Sequence, residues 1–195
     1  MFKKTMTAVA CSLSLLSATA ASAAGWTVDS DASVLGFGSI KGNTTGEAHT
    51  ISGVAGKVAA DGTATLTLDL TTIQTNIDIR NERIGEHVFK GAANATLTAA
   101  IDLEAMEGLA VGEYMVTEVE GDLALIGEPL PVYLDMFIMR TADDQVIATS
   151  NSMLFISTEE LGIDAGIDVL KALANLDGIT RSFPVTMRFV FNADA

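Results

Sequence analysis

Residues 64–70 read ATLTLDL, with Ala64, Leu66, Leu68 and Leu70 on one side of an extended chain and Thr65, Thr67 and Asp69 on the other. Alternation with a period of two and threonine on the wet side marks a half-buried β-strand. The pattern recurs along the chain. Residues 96–103 turn Leu97, Ala99, Ile101 and Leu103 inward, and residues 183–192 set Phe183, Val185, Met187, Phe189 and Phe191 against Thr186, Arg188 and Asn192. Residues 34–40, 50–59, 114–126, 132–140 and 145–157 are further strand candidates, punctuated by Asp61-Gly62, Gly108, Gly112, residues 127–131 and Asp143-Asp144. About eight strands in one antiparallel series predict an up-and-down barrel or a sandwich.

Two segments break this rhythm. Thr75 reads as a helix cap with Asp78 three residues on, after which Ile77, Arg80, Ile84 and Val88 share a face. Residues 164–177 carry a helical stripe of Ile167, Leu170, Leu173, Ala174 and Leu176, with Gly178 as the expected stop. Such helices either plug the barrel ends or form a lid over an opening.

The chain has 195 residues, 49% of them hydrophobic, with 25 Asp and Glu against 11 Lys and Arg, a net charge of −14. This is one folded domain rather than a disordered chain. The acidity excludes nucleic acid as a partner and argues against a standing attachment to an anionic membrane. The single cysteine, Cys11, supports neither a disulfide framework nor a cysteine metal cage. Residues 1–23, MFKKTMTAVACSLSLLSATAASA, have Lys3 and Lys4, an uncharged apolar stretch and the small-x-small ending Ala21-Ser22-Ala23. They predict a secretory signal peptide cleaved after Ala23, leaving residues 24–195 as a domain in the periplasm. Cleavage removes two lysines and no acid, so the net charge becomes −16.

Catalytic patterns are missing. His49 and His87 are the only histidines; neither lies in a zinc-binding motif, and no serine-hydrolase elbow or phosphate-binding glycine loop occurs. The reading is therefore of a protein that is not an enzyme and has no catalytic cofactor or metal. Six methionines follow the signal segment: Met106, Met115, Met136, Met139, Met153 and Met187. Methionine suits an irregular, ligand-moulded cavity, although composition alone favours a solid core.

Several motifs occur in a telling order: Gly25-Trp26-Thr27-Val28-Asp29 and then Ser33 to Phe37; ISGVAGKV at 51–58; Thr72-Ile73-Gln74-Thr75 and then Arg80-Asn81-Glu82-Arg83-Ile84 and Phe89; GDLALIGEPLPV at 121–132; and ISTEELGI at 156–163. In this order and spacing, from Gly25 to Ala195, the chain resembles the YceI-like family of secreted isoprenoid-binding proteins. Asn81, Arg83, Ser157 and Leu161 depart from the residues that family favours, so the polar contacts to a head group are expected to differ. The resemblance implies a mainly β fold, an up-and-down antiparallel eight-stranded lipocalin-like barrel with one or two short helices. It also implies a carrier or sensor that holds a long isoprenoid lipid, a ubiquinone-like quinone or a polyprenyl phosphate, in an apolar tunnel. On that basis Leu66, Leu68, Leu97, Ile101, Met187, Phe189 and Phe191 are expected to line the tunnel, with Arg80 and Arg83 at its mouth. The competing expectation for these arginines is pairing with Asp78, Glu82 or Glu86 on their own turn. Transient contact with a membrane donor or acceptor and a homodimer are further expectations. The alternatives are a lipid-modifying isomerase or cyclase on the same barrel, and a ligand-free stress-protective module with a filled core.

Overall fold

The computed structural model describes residues 25–194; the expected signal peptide lies outside them. One antiparallel sheet holds ten strands: β1 (Trp26–Val28), β2 (Val34–Lys41), β3 (Thr45–Val58), β4 (Thr63–Gln74), β5 (Asn94–Ala100), β6 (Tyr114–Ala124), β7 (Leu130–Ala142), β8 (Gln145–Ser150), β9 (Leu154–Ser157) and β10 (Ser182–Ala193). Neighbours in sequence pair from β2 through β8, and β10 then bonds β8 on one side and β2 on the other. The sheet therefore closes on itself, which removes exposed edges. The ring has eight staves, two of them broken: β1 with β2, and β8 with β9, each pair lying along one side of β10.

The breaks are bridged by side-chain and backbone hydrogen bonds. Between β1 and β2, the Ser33 hydroxyl oxygen accepts the Val190 amide at 3.0 Å, and the Asp29 amide donates to the Val190 carbonyl at 2.8 Å. Between β8 and β9, Ser150 Oγ accepts the Met187 amide at 2.9 Å and Thr149 Oγ1 donates to the Met187 carbonyl at 2.9 Å. Residues 145–157 thus form two strands rather than the one expected. On β3 the register shifts between Ile51 and Gly53, and Gly56 sits at φ 138° with its α-carbon against β4. A β-carbon at Gly56 would lie 2.2 Å from the Thr65 carbonyl oxygen, so this strand crossing requires glycine.

Among the described residues, three short α-helices accompany the barrel: α1 (Asp78–Arg83), continued by a π-helical turn at Ile84–Val88, α2 (Leu103–Glu107) and α3 (Asp164–Leu173). Thr75 does not cap α1. Asn76 takes a left-handed φ of 62°, which moves the helix start to Ile77, and buried Thr75 instead donates its hydroxyl to Asn81 Oδ1 at 2.6 Å. The end of α3 also falls earlier than expected, at left-handed Asn175 rather than at Gly178, and Leu173 faces solvent. Helix α2 replaces the end of the strand expected over 96–103. Asp102 caps it by accepting the Ala105 amide at 3.0 Å, and Leu103 and Met106 are buried beneath it.

Helix α3 packs on the π-helical turn through Gly166, where a β-carbon would stand 2.4 Å from the His87 carbonyl oxygen. Its first turn is tied to the barrel by Thr158, a fully buried residue whose hydroxyl donates to the Asp164 carboxylate. Arg181 adds bonds to the Asp164 carbonyl at 2.9 Å and to the carboxylates of Asp164 and Asp168. Closure of one barrel end rests on these contacts.

Candidate ligand-binding site

Under α1, the π-helical turn and α3, the barrel holds a cavity of 310 Å³. Its wall is almost wholly aliphatic and aromatic. Strands supply Leu35, Phe37, Ile51, Leu68, Leu70, Ala95 and Phe183, and the helices add Ile84, Ile167 and Leu170. These side chains point inward because each strand alternates. On β3, for example, Glu47, His49 and Ile51 face in while Ala48 and Thr50 face out. The volume sits at the lower edge of the about 300–1,000 Å³ common for small-molecule pockets.

A second cavity of 60 Å³ lies further along the barrel, lined among others by Trp26, Leu66, Leu97, Met136, Met187 and Phe191. Adjacent inward positions on single strands face different cavities: Leu68 and Leu66 on β4, Ala95 and Leu97 on β5, Val185 and Met187 on β10. A layer of core side chains therefore divides the interior. The residues expected to form one tunnel are split by it. Leu68, Arg80 and Arg83 line the larger cavity; Leu66, Leu97, Ile101, Met187, Phe189 and Phe191 line the smaller. Methionine is absent from the larger wall, whereas Met106, Met136 and Met187 border the smaller cavity.

One end of the larger cavity is polar. Arg80 Nη1 donates to Glu47 Oε2 at 2.6 Å, Arg80 Nε donates to Thr75 Oγ1 at 2.9 Å, and the remaining guanidinium nitrogen bonds the Thr75 carbonyl. Its partner is thus 33 residues away on β3 rather than on its own turn. Arg83 and Lys41 also line this end, and neither has an ion-pair partner among the described residues. His49 is buried against Phe37, ring centroids 5.1 Å apart, with Nε2 2.9 Å from Ser39 Oγ. Its Nδ1 is buried without a partner of hydrogen-bond geometry. Burial and then the Arg80 cation push the His49 pKa down, opposed more weakly by Glu47 and the Ala48 backbone. The ring is therefore neutral near pH 7.

Ser39, Lys41, Glu47 and His49 were not expected from the sequence. A signal was present: extending the alternation of β3 back from Ile51 places His49 and Glu47 on the inner face.

A closed antiparallel barrel around an apolar chamber, with polar groups gathered at one end, has the architecture of the β-barrels that hold small apolar ligands. Within that class the chain belongs to the YceI-like family, whose domain model matches residues 26–191. It is similar to a solved polyisoprenoid-binding domain from Saccharophagus degradans implicated in plant cell wall breakdown, with 33% identity and a TM-score of 0.84 over 87% of this chain and 98% of that one. It shares the fold of Burkholderia cenocepacia BcnA at 16% identity and a TM-score of 0.61, covering 84% of this chain and 98% of that one. No curated protein matched the chain.

Proposed function

We propose that this protein sequesters or carries a long-chain isoprenoid lipid in the bacterial periplasm, reached by means of the expected signal peptide at residues 1–23. The observation that carries the reading is the 310 Å³ apolar chamber beneath the helices. The YceI-like domain and the similarity to a polyisoprenoid-binding domain support the ligand class. Each five-carbon prenyl unit moved from water into such a chamber contributes about 3–4 kcal/mol gross, before ordering costs. The chamber is small for a long tail, so the chain either leaves through the mouth or opens the layer toward the 60 Å³ cavity. Binding of this kind needs few polar groups and no catalytic constellation.

Transient contact with a donor or acceptor membrane follows from the ligand's insolubility. A homodimer is a further part of the proposal, supported by exposed Tyr114, Val116 and Tyr133 on the outer face of β6 and β7. The test of the reading is organic extraction of purified protein followed by mass spectrometry, together with uptake of added prenyl lipid. One prenyl lipid per chain is expected; an empty extract with no uptake overturns it.

A further inference from the structure

We infer that the barrel wall has a lateral portal, a seam between β7 and β9 through which the hydrocarbon of the lipid enters and leaves. This rests on the isoprenoid reading and adds the route that its cargo takes. The first observation is a missing ladder. The ring closes through β8, which pairs with β7 from Met136 to Ala142 and with β10 on its other side. Further along, β9 takes the place of β8, and among the described residues it pairs with β10 alone. The stretch of β7 from Leu130 to Asp135 likewise pairs with β6 alone. The last hydrogen bonds across are at Asp135, whose carbonyl accepts the Asn151 amide at 2.8 Å and whose carboxylate accepts Asn151 Nδ2 at 2.9 Å. Continuing the β7–β8 register past them sets Tyr133 against Met153 and Pro131 against Phe155. By the alternation of an antiparallel ladder, these are the pairs that should bond next, yet among the described residues neither does.

The sequence supplies the reason. Proline has no N–H to give a ladder, and the chain's three prolines sit on or next to the strands that flank β9. Pro129 precedes β7, Pro131 lies within it, and Pro184 on β10 pairs with Phe155. The second observation is what closes the seam instead. Val132 and Ile156 are buried there, and Ile156 lines the larger cavity together with Phe183 and Val185 of β10. On the outer side Tyr133, Met153 and Phe155 are 60–62% exposed. Apolar surface therefore runs from solvent to cavity with no layer of hydrogen bonds between. Parting the four-residue β9 from β7 breaks no ladder, so the seam opens while the rest of the ring stays paired. At the polar end, by contrast, a tail must pass Lys41, Glu47, Arg80 and Arg83.

The experiment uses the mature chain, residues 24–195, which contains no cysteine. Tyr133→Cys with Met153→Cys is joined by a short, reducible bis-thiosulfonate cross-linker, and release of a fluorescent farnesol analogue is followed by stopped flow. Cross-linking is expected to slow release at least about tenfold, with full recovery on reduction. Affinity should change by less than about twofold, because a blocked route slows entry and exit alike. Pro131→Thr, which restores the missing N–H, is expected to slow release about threefold without any cross-link. In lipid-free protein, the β9 amides should exchange with solvent at least about tenfold faster than those of β8. Unchanged release from fully cross-linked protein, or a cysteine pair that the reagent does not join, overturns the portal and leaves the isoprenoid reading intact. Equal protection of β9 and β8 overturns it without any lipid. Failure of the probe to bind the unaltered protein overturns the isoprenoid reading and the portal's cargo with it.

Discussion

Ala95→Phe asks whether the barrel is hollow. Ala95 is buried on β5 opposite Leu68, and both line the 310 Å³ cavity. The substitution adds about six carbons, a little more than one prenyl unit, and inserts them into the space assigned to the lipid. A displaced unit forfeits up to about 4 kcal/mol gross, near a thousandfold in affinity. Sliding the tail toward the mouth recovers part of this, so a loss of at least about tenfold is expected. The effect on the lipid-free protein has the opposite sign. Filling a void with a ring contributes about 1–2 kcal/mol, which raises Tm by about 2–8 °C in a chain of this size. If the core were solid, the same ring would overpack it and cost about 1–3 kcal/mol. The assay is competition against a fluorescent prenyl probe, with a thermal melt of lipid-stripped protein. A lowered Tm with unchanged prenyl affinity would refute the cavity argument on both counts.

Gly166→Ala tests the seat of α3. Alanine is the better helix former by about 1 kcal/mol, yet its β-carbon would meet the His87 carbonyl oxygen at 2.4 Å and Val88 Cα at 2.7 Å. Urea unfolding should show a net loss of about 1–3 kcal/mol; a gain would mean that the helix does not pack there. Met187→Ala enlarges the smaller cavity at the dividing layer. It should cost about 2–5 kcal/mol of stability and shift the extracted lipids toward longer tails, whereas an unchanged tail distribution removes Met187 from length selection. His49→Gln tests the neutral buried ring, which faces Glu47, Arg80, Lys41 and Arg83 at the cavity's polar end. Because the folded pKa is depressed, the neutral ring's contribution is present above the unfolded value of about 6.5 and is lost as pH falls through the folded value. Unfolding free energies from about pH 7 to 5 should show the unaltered protein losing stability relative to the variant, and a constant difference would contradict the burial argument.

Most of the barrel is visible as alternation, because a strand with one wet face must repeat every second residue. β4, β5 and β10 show it plainly. What alternation cannot show is where pairing stops. Residues 145–157 keep a strand-like composition through the break between β8 and β9, since the break depends on Met187 finding Ser150 and Thr149 across the ring. Leu103 continues the parity of Leu97, Ala99 and Ile101, so its strand reading was natural. The Asp102 cap on the Ala105 amide is the local feature that turns the chain into α2 instead. Asn76 and Asn175 moved helix boundaries because a single left-handed residue, which asparagine tolerates, redirects the chain more decisively than a nearby Thr or Gly.

The candidate site was less legible, for a different reason. Strand parity fixes which face a residue occupies but not its height along the barrel axis. Leu66 and Leu68 are indistinguishable by pattern, yet the dividing layer gives them to different cavities. Arg80 could be read as a helix-surface cation from its neighbours Asp78 and Glu82. Its actual partner, Glu47, is brought to it only when β3 and the end of β4 are adjacent and α1 folds back over them. That pairing also decides the chemistry of the mouth: it engages Glu47, the one acid lining the larger cavity among the described residues, and leaves Lys41 and Arg83 there without an ion-pair partner among those residues. The sign of the site is thus a property of the closed ring, set by a contact spanning more than thirty residues.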